Sequence, residues 1–169
     1  MTAIESPAEC VTRHFGESLY LTRWIEVGGR LLDIGSGAGF PGLVLKLANP
    51  SLSVTLLEPV AKKRAFLKEA ARVCELGRVD VRGERLEDFA RALGSPGFDL
   101  ATARAVGNLE HLVPEAIRCL NPRGLVCLWL GRQQADGLNR IQPRLDWRPP
   151  LPIPLSRGRE IWVGSVPEA

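Results

Sequence analysis

The chain has 169 residues, of which 45% are hydrophobic and 24% charged, with a formal net charge of +3. That length suits one domain with a real core, and the balance is that of a soluble globular protein rather than a disordered one. No apolar run approaches the ~18 residues of a spanning helix, so no membrane is expected. The start, MTAIESPAECVTRHF, lacks the basic and apolar regions of a secretion signal, so a cytoplasmic location is expected. The weak positive balance is compatible with an RNA partner without arguing for one. Cys10, Cys74, Cys119 and Cys127 are far apart, form no C-x-x-C pair and stand in mainly apolar contexts. They read as reduced, buried thiols, and with only two histidines present no metal site is expected.

In chain order, Pro7–Ile25 carries an amphipathic pattern, with Cys10, Val11, His14, Leu21 and Ile25 near one face. It predicts a helical lead-in over residues 1–28. Strands are then predicted at Arg30–Ile34, Ser53–Leu57, Val79–Arg82, Phe98–Ala103 and Leu125–Leu130. Helices fall between them, near Gly42–Ala48, Ala61–Cys74, Leu86–Leu93 and Leu109–Leu120. Asn49-Pro50, Gly94–Gly97 and Asn121–Gly124 punctuate this rhythm as turns. Alternating strands and helices imply an α/β fold, a mainly parallel sheet with helices on both faces. The tail differs. Gln133–Ile141 suits a short helix, and Arg148–Pro154 is too rich in proline for a central strand. Ser156-Arg157-Gly158-Arg159 reads as a turn before a last strand at Glu160–Val166, which makes an antiparallel hairpin at one sheet edge. No repeat or second-domain boundary is visible, so residues 1–169 are expected to be a single domain.

The richest stretch is LLDIGSGAGFPG, residues 31 to 42: an apolar strand containing an acid, three glycines at alternate positions, then a helix. Glycine permits positive φ and close approach of backbone to a ligand, so this is a nucleotide-type pocket at the carboxyl end of a first parallel strand. Gly37, Gly39 and Gly42 satisfy G-x-G-x-x-G, which alone does not choose between dinucleotide and S-adenosylmethionine. Asp33 favours the latter, because a carboxylate there can face an ammonium, directly or through water, and would repel a pyrophosphate. Pro41 suits a first helical turn and removes one phosphate donor. The competing reading is an ordinary glycine-rich loop with Asp33 as a cap.

Other candidates follow the strand ends. Glu58 closes the second strand, where a carboxylate accepts hydrogen bonds from ribose hydroxyls or merely caps the next helix. Lys62, Lys63, Arg64 and Lys68 on that helix are a solvated face or phosphate contacts. Arg85, Leu86 and Glu87 follow the third strand where an adenine would lie, Leu86 packing on the ring and Glu87 reading its edge. Arg104 ends the fourth strand and can bind a cofactor carboxylate, an RNA phosphate or a structural acid. His14, near Glu17 and Ser18, is structural or functional.

Together these residues become specific. RHFGES (13–18), LLDIGSGAGFPGLVL (31–45), LLEPVAKKRAFLKE (56–69), RLEDF (85–89), FDLATARAVGNLEHL (98–112) and PLPIPLSRGREIWVGSV (150–166) resemble the RsmG (GidB) family. The resemblance implies a single-domain, Rossmann-like class I methyltransferase with a seven-stranded sheet, using S-adenosylmethionine to methylate guanine N7 in small-subunit (16S) ribosomal RNA. It implies cofactor contacts at Gly35 and Phe40, an adenine pocket at Leu86 and Glu87, and a functional arginine at Arg104. The cofactor-binding set is therefore expected to be Asp33, Gly35, Ser36, Gly37, Gly39, Phe40, Glu58, Arg85, Leu86, Glu87 and Arg104. His14, Lys62, Lys63, Arg104 and Arg132 are the candidates for substrate binding.

The chain departs from the family pattern in three places. It starts after the additional N-terminal helices usual in the family. The family's H-x-x-D-S is here His14-Phe15-Gly16-Glu17-Ser18. Its Leu-Lys-Gly after the fifth strand is Trp129-Leu130-Gly131, with Arg132 next. Guanine N7 has a free lone pair, so no general base is expected, only in-line placement. The alternatives are a methyltransferase of small molecules, a non-catalytic cofactor-binding member, and an NAD(P) oxidoreductase.

Overall fold

The computed structural model describes residues 6–105, 107–141, 145–156 and 158–167, the side chain of residue 139 excepted. The lead-in is therefore described from residue 6, and the Ser156–Arg159 turn without Arg157, which lies outside the described residues.

Each apolar run becomes a strand of one sheet: β1 (Arg30–Ile34), β2 (Ser53–Leu57), β3 (Val79–Arg82), β4 (Phe98–Arg104), β5 (Leu120–Gly131), β6 (Asp146–Trp147), β7 (Leu151–Pro152) and β8 (Arg159–Ser165). The order is β3-β2-β1-β4-β5-β8-β6, with β7 also paired to β8. Pairs among β1 to β5 are parallel, and β8 runs antiparallel to β5, β6 and β7. The eight segments thus fill seven positions. β6 and β7 are one edge strand interrupted at Arg148-Pro149-Pro150, where the two prolines have no N–H to give the ladder. Chain order reverses between β1 and β4, leaving a crevice at their carboxyl ends.

Alternate side chains of each central strand enter opposite layers. Leu32, Ile34, Ala101, Ala103, Val126, Leu128 and Leu130 join one core cluster with α5 (Leu86–Ala92) and α6 (Leu109–Cys119). Leu31, Leu100, Cys127 and Trp129 join the other, with α3 (Gly42–Ala48) and α4 (Ala61–Val73). This second layer also buries Leu21 and Ile25 of the lead-in. The lead-in is a helical run built from α1 (Pro7–Cys10), a π turn (Val11–Gly16), α2 (Glu17–Leu19) and a 3-10 turn (Tyr20–Arg23). Its expected apolar face holds only in part, since Val11 is exposed and Cys10 and His14 are half-buried.

Three local expectations change. Asn121–Gly124 is not a free turn but an irregularity inside β5, with Arg123 at φ 63° and Asn121 Nδ2 donating to Asp99 at 2.8 Å. The 133–141 helix is broken into α7 (Arg132–Ala135) and a 3-10 turn (Leu138–Arg140) with Gly137 between them. Of the cysteines, Cys119 and Cys127 are buried, Cys10 is half-buried and Cys74 is exposed, all as free thiols. Burial pushes the Cys119 thiol up to about 11 and raises Cys127 further still.

Candidate active site

The glycine loop begins where β1 ends. Gly35, Gly37 and Gly39 all have positive φ, at 68°, 58° and 90°. The Ser36 amide donates to the Leu57 carbonyl at 3.0 Å and its hydroxyl to the Asp33 carbonyl at 2.9 Å, which fixes the loop to β1 and β2. A Cβ at Gly37 would meet nothing nearer than the Gly35 carbonyl at 3.8 Å, so that backbone lies open to a ligand.

Two cavities meet at Gly35. One, of about 460 Å³, is lined by Ile34, Leu57, Pro59 and Glu84–Glu87, with Asn108 and His111 opposite. The other, of about 610 Å³, is lined by Ser36, Gly37, Ala38 and Phe40, with Cys10, His14, Lys63, Arg104 and Ala105. Eight of the expected cofactor residues therefore line the two joined cavities: Gly35, Ser36, Gly37, Phe40, Arg85, Leu86, Glu87 and Arg104.

The remaining expected residues are placed differently. Asp33 is fully buried beneath the loop and lines neither cavity. Thr102 donates to one of its oxygens at 2.7 Å, and the other has no hydrogen-bond partner. Desolvation pushes its carboxyl up to about 6, against the lowering by its hydrogen bonds. Direct contact between Asp33 and a cofactor ammonium is not the geometry found. Gly39 lies outside both linings, and a Cβ there would stand 2.6 Å from Leu43 Cδ1. Glu58 is buried, its two oxygens accepting from the Gly37 and Val60 amides at 2.9 Å each, with Lys63 Nζ at 3.9 Å. It shapes the loop from within.

Arg104 is engaged by an acid. Its Nη2 donates to Glu17 Oε2 at 3.0 Å and to the Arg13 carbonyl at 2.7 Å. Arg159 Nη2 reaches the other Glu17 oxygen at 2.6 Å. Burial raises the Glu17 carboxyl, opposed by the three arginines Arg104, Arg159 and Arg13. His14 stacks on Phe40, centroids 4.7 Å apart and planes at 19°, and Phe15 meets the same ring edge-on. Burial first, then the same arginines, lower the His14 pKa. Lys63 is exposed at the rim, Lys62 is exposed outside both linings, and Arg132 is an exposed ion pair 3.4 Å from Glu160, also outside them. Sequence reasoning did not single out Ala105, Asn108 or His111 as lining residues, nor Glu17 as a hub. The first two sit at φ 54° and 53°; asparagine favours that region, whereas nothing in an alanine signals it.

A sheet reversing at β1 and β4, a glycine loop after β1 and a carboxylate after β2 are shared with dinucleotide-binding folds; β8, inserted antiparallel beside β5 in a seven-position sheet, gives the arrangement of the class I methyltransferase fold. The crystal structure of an S-adenosylmethionine-dependent O-methyltransferase from Thermotoga maritima matches with a TM-score of 0.72 and 16% identity, covering 100% of this chain and 69% of that one, a likeness of fold. The GidB family model, rRNA small subunit methyltransferase G, matches residues 1–147, and the chain belongs to this family. Among its relatives, ribosomal RNA small subunit methyltransferase G of Sorangium cellulosum is 42% identical over 141 residues, 82% of this chain and 59% of that protein. The protein of the same name from Chloroflexus aggregans is 41% identical over 147 residues, 86% of this chain and 62% of that protein. The chain thus spans about three fifths of the length of these relatives.

Family membership implies S-adenosylmethionine as methyl donor, and the residues present fit it. Ile34, Leu57 and Leu86 offer an apolar slot for a flat ring, and the open Gly37 backbone admits close approach. Among the described residues, no group of three His, Cys, Asp or Glu is placed to hold a metal ion, and no helix is long and apolar enough to cross a membrane.

Proposed function

We propose that this chain binds S-adenosylmethionine and methylates guanine N7 in small-subunit ribosomal RNA or a ribosomal particle, in the cytoplasm. The observation that carries the reading is the pair of cavities joined at Gly35, one bordered by Ile34, Leu57, Leu86 and Glu87, the other walled by Phe40, His14 and Arg104. The cofactor would lie across Gly35, its adenine against Leu86 and its methionine end by Ser36 and Gly37. Its sulfonium supplies an activated methyl group.

The chain's own work is placement. The stacked His14 and Phe40 rings form a wall that can hold a purine face. N7 carries its lone pair without deprotonation, so no side chain has to remove a proton. Lys63 at the rim, with Lys62 beside it, suits phosphates of the incoming RNA.

Calorimetry should show binding of S-adenosylhomocysteine and none of NAD. Mass mapping of modified nucleotides in ribosomal RNA, from cells with and without the gene, should show loss of one N7-methylguanine. NAD binding without S-adenosylhomocysteine binding would leave the fold and remove the function. A non-catalytic member is the second reading, favoured by the engagement of Arg104 and Arg132 with acids. Cofactor binding without turnover on any ribosomal particle would select it.

A further inference from the structure

The lead-in and the sheet meet at one buried carboxylate. Glu17 is 4% exposed and joins the ends of three strands. Its side chain takes Arg104 from the end of β4 and Arg159 from the start of β8. Its backbone carbonyl accepts Trp129 Nε1 from β5 at 2.9 Å. One turn earlier, the His14 carbonyl accepts from Ser18 Oγ at 2.6 Å and lies 3.5 Å from Arg104 Nη1. The backbone that carries His14 is thus held from two sides. The His14 ring itself stacks on Phe40, and its Nδ1 has no hydrogen-bond partner. The stack and the backbone clamp orient the ring.

We propose that Glu17 is a positioning residue for methyl transfer: through Arg104 it holds the backbone of His14, and with it the ring against Phe40, and the held ring contacts the incoming purine. A buried ion pair is a poor source of net stability compared with apolar packing, and its best-attested use is to fix register. Here the register fixed is that of a helix against the mouth of the cavity. A helix held only for stability needs no carboxylate between two arginines, since Leu21 and Ile25 already anchor it in the core.

The proposal rests on the RNA methyltransferase reading, and the test separates the two. The chain has two histidines, His14 and His111, so their ring resonances are easily distinguished by NMR. The Phe40 stack shifts the His14 ring protons away from the values of an exposed histidine. In Glu17→Gln those resonances should move toward exposed values while His111 stays. S-adenosylhomocysteine affinity should change little, and kcat on small-subunit particles should fall by about ten- to a hundredfold, the scale of a ~1 Å misplacement. Glu17→Asp should restore part of both, and in a His14→Ala background Glu17→Gln should add nothing further to the loss of kcat. If Glu17→Gln does not fold, Ser18→Ala, which removes one of the three contacts to the His14 carbonyl, the others being the Glu17 amide and Arg104, should move the same resonances by less. Unmoved His14 resonances, or additive losses of kcat, overturn the proposal. A wild-type protein that binds cofactor and leaves ribosomal RNA unmodified overturns the substrate, while the resonances still decide the clamp.

Discussion

Asp33 and Thr102 are register partners on β1 and β4, and the threonine hydroxyl donates to one oxygen of a carboxylate whose other oxygen has no partner. A full charge there is badly solvated, which is why the carboxyl is pushed up to about 6. Below about pH 4 it is protonated in both the folded and the unfolded chain. As pH rises, the unfolded chain releases its proton first, so the folded state loses stability between about pH 4 and pH 6, by about 3 kcal/mol at the plateau. Asp33→Asn has no such loss. Urea titrations should show the variant gaining on the wild type by about that amount between pH 4 and pH 7. Parallel pH profiles would mean that Asp33 is solvated in the folded protein.

That strand, its glycine loop and the helix after it were legible because period, turn chemistry and spacing agree at residues 31–45. The parallel sheet followed from the alternation of elements, whereas the reversal of strand order between β1 and β4 is a matter of pairing that alternation does not give. What side chains do at the crevice was less legible. A strand-end acid signals ribose binding, yet Glu58 spends both oxygens on the amides of Gly37 and Val60. An arginine at a strand end signals an anion, and the anion found is Glu17, 87 residues earlier in the chain. Linear spacing carries no information about such a pairing. The broken edge strand was visible as proline, but Pro149-Pro150 reads equally as a loop, and only pairing of both halves to β8 reveals one strand.

Gly42 is a packing constraint rather than a ligand contact. A Cβ there would lie 2.7 Å from Asp33 Oδ2 and 2.7 Å from Leu56 Cδ2, both fully buried. Gly42→Ala should destabilise by about 1–3 kcal/mol through overpacking, more than the ~1 kcal/mol that alanine gains in a helix. Gly77→Ala meets nothing within 4 Å and should be near neutral. Equal midpoints for the two variants in one urea series would contradict the tight approach of α3 to β1.

Glu58→Ala removes acceptors from two amides and leaves the Gly37 turn without its tether. Cofactor binding should weaken by about 1.5–3 kcal/mol, the scale for hydrogen bonds to a charged group. Amide exchange at Gly37 should quicken in the same variant, since its partner is gone. Intact affinity with faster exchange would assign Glu58 to the loop alone, with no part in holding ligand.

Arg104→Ala distinguishes the two anions that this arginine can serve. In the structure it neutralises Glu17 and supports the carbonyls of Arg13 and His14. Removing it leaves Glu17 buried with Arg159 as its remaining ion-pair partner and Arg13 nearby, so stability should fall by about 2–4 kcal/mol, somewhat below the cost of stripping a buried ion of every partner. Adding Glu17→Gln should recover part of that loss, because the uncompensated carboxylate is then gone and Arg159, only partly buried, can turn to water. Cofactor affinity should change little while methyl transfer collapses with the displaced His14 wall. The opposite pattern, affinity lost with stability intact, would mean that Glu17 yields the arginine to the carboxylate of bound S-adenosylmethionine.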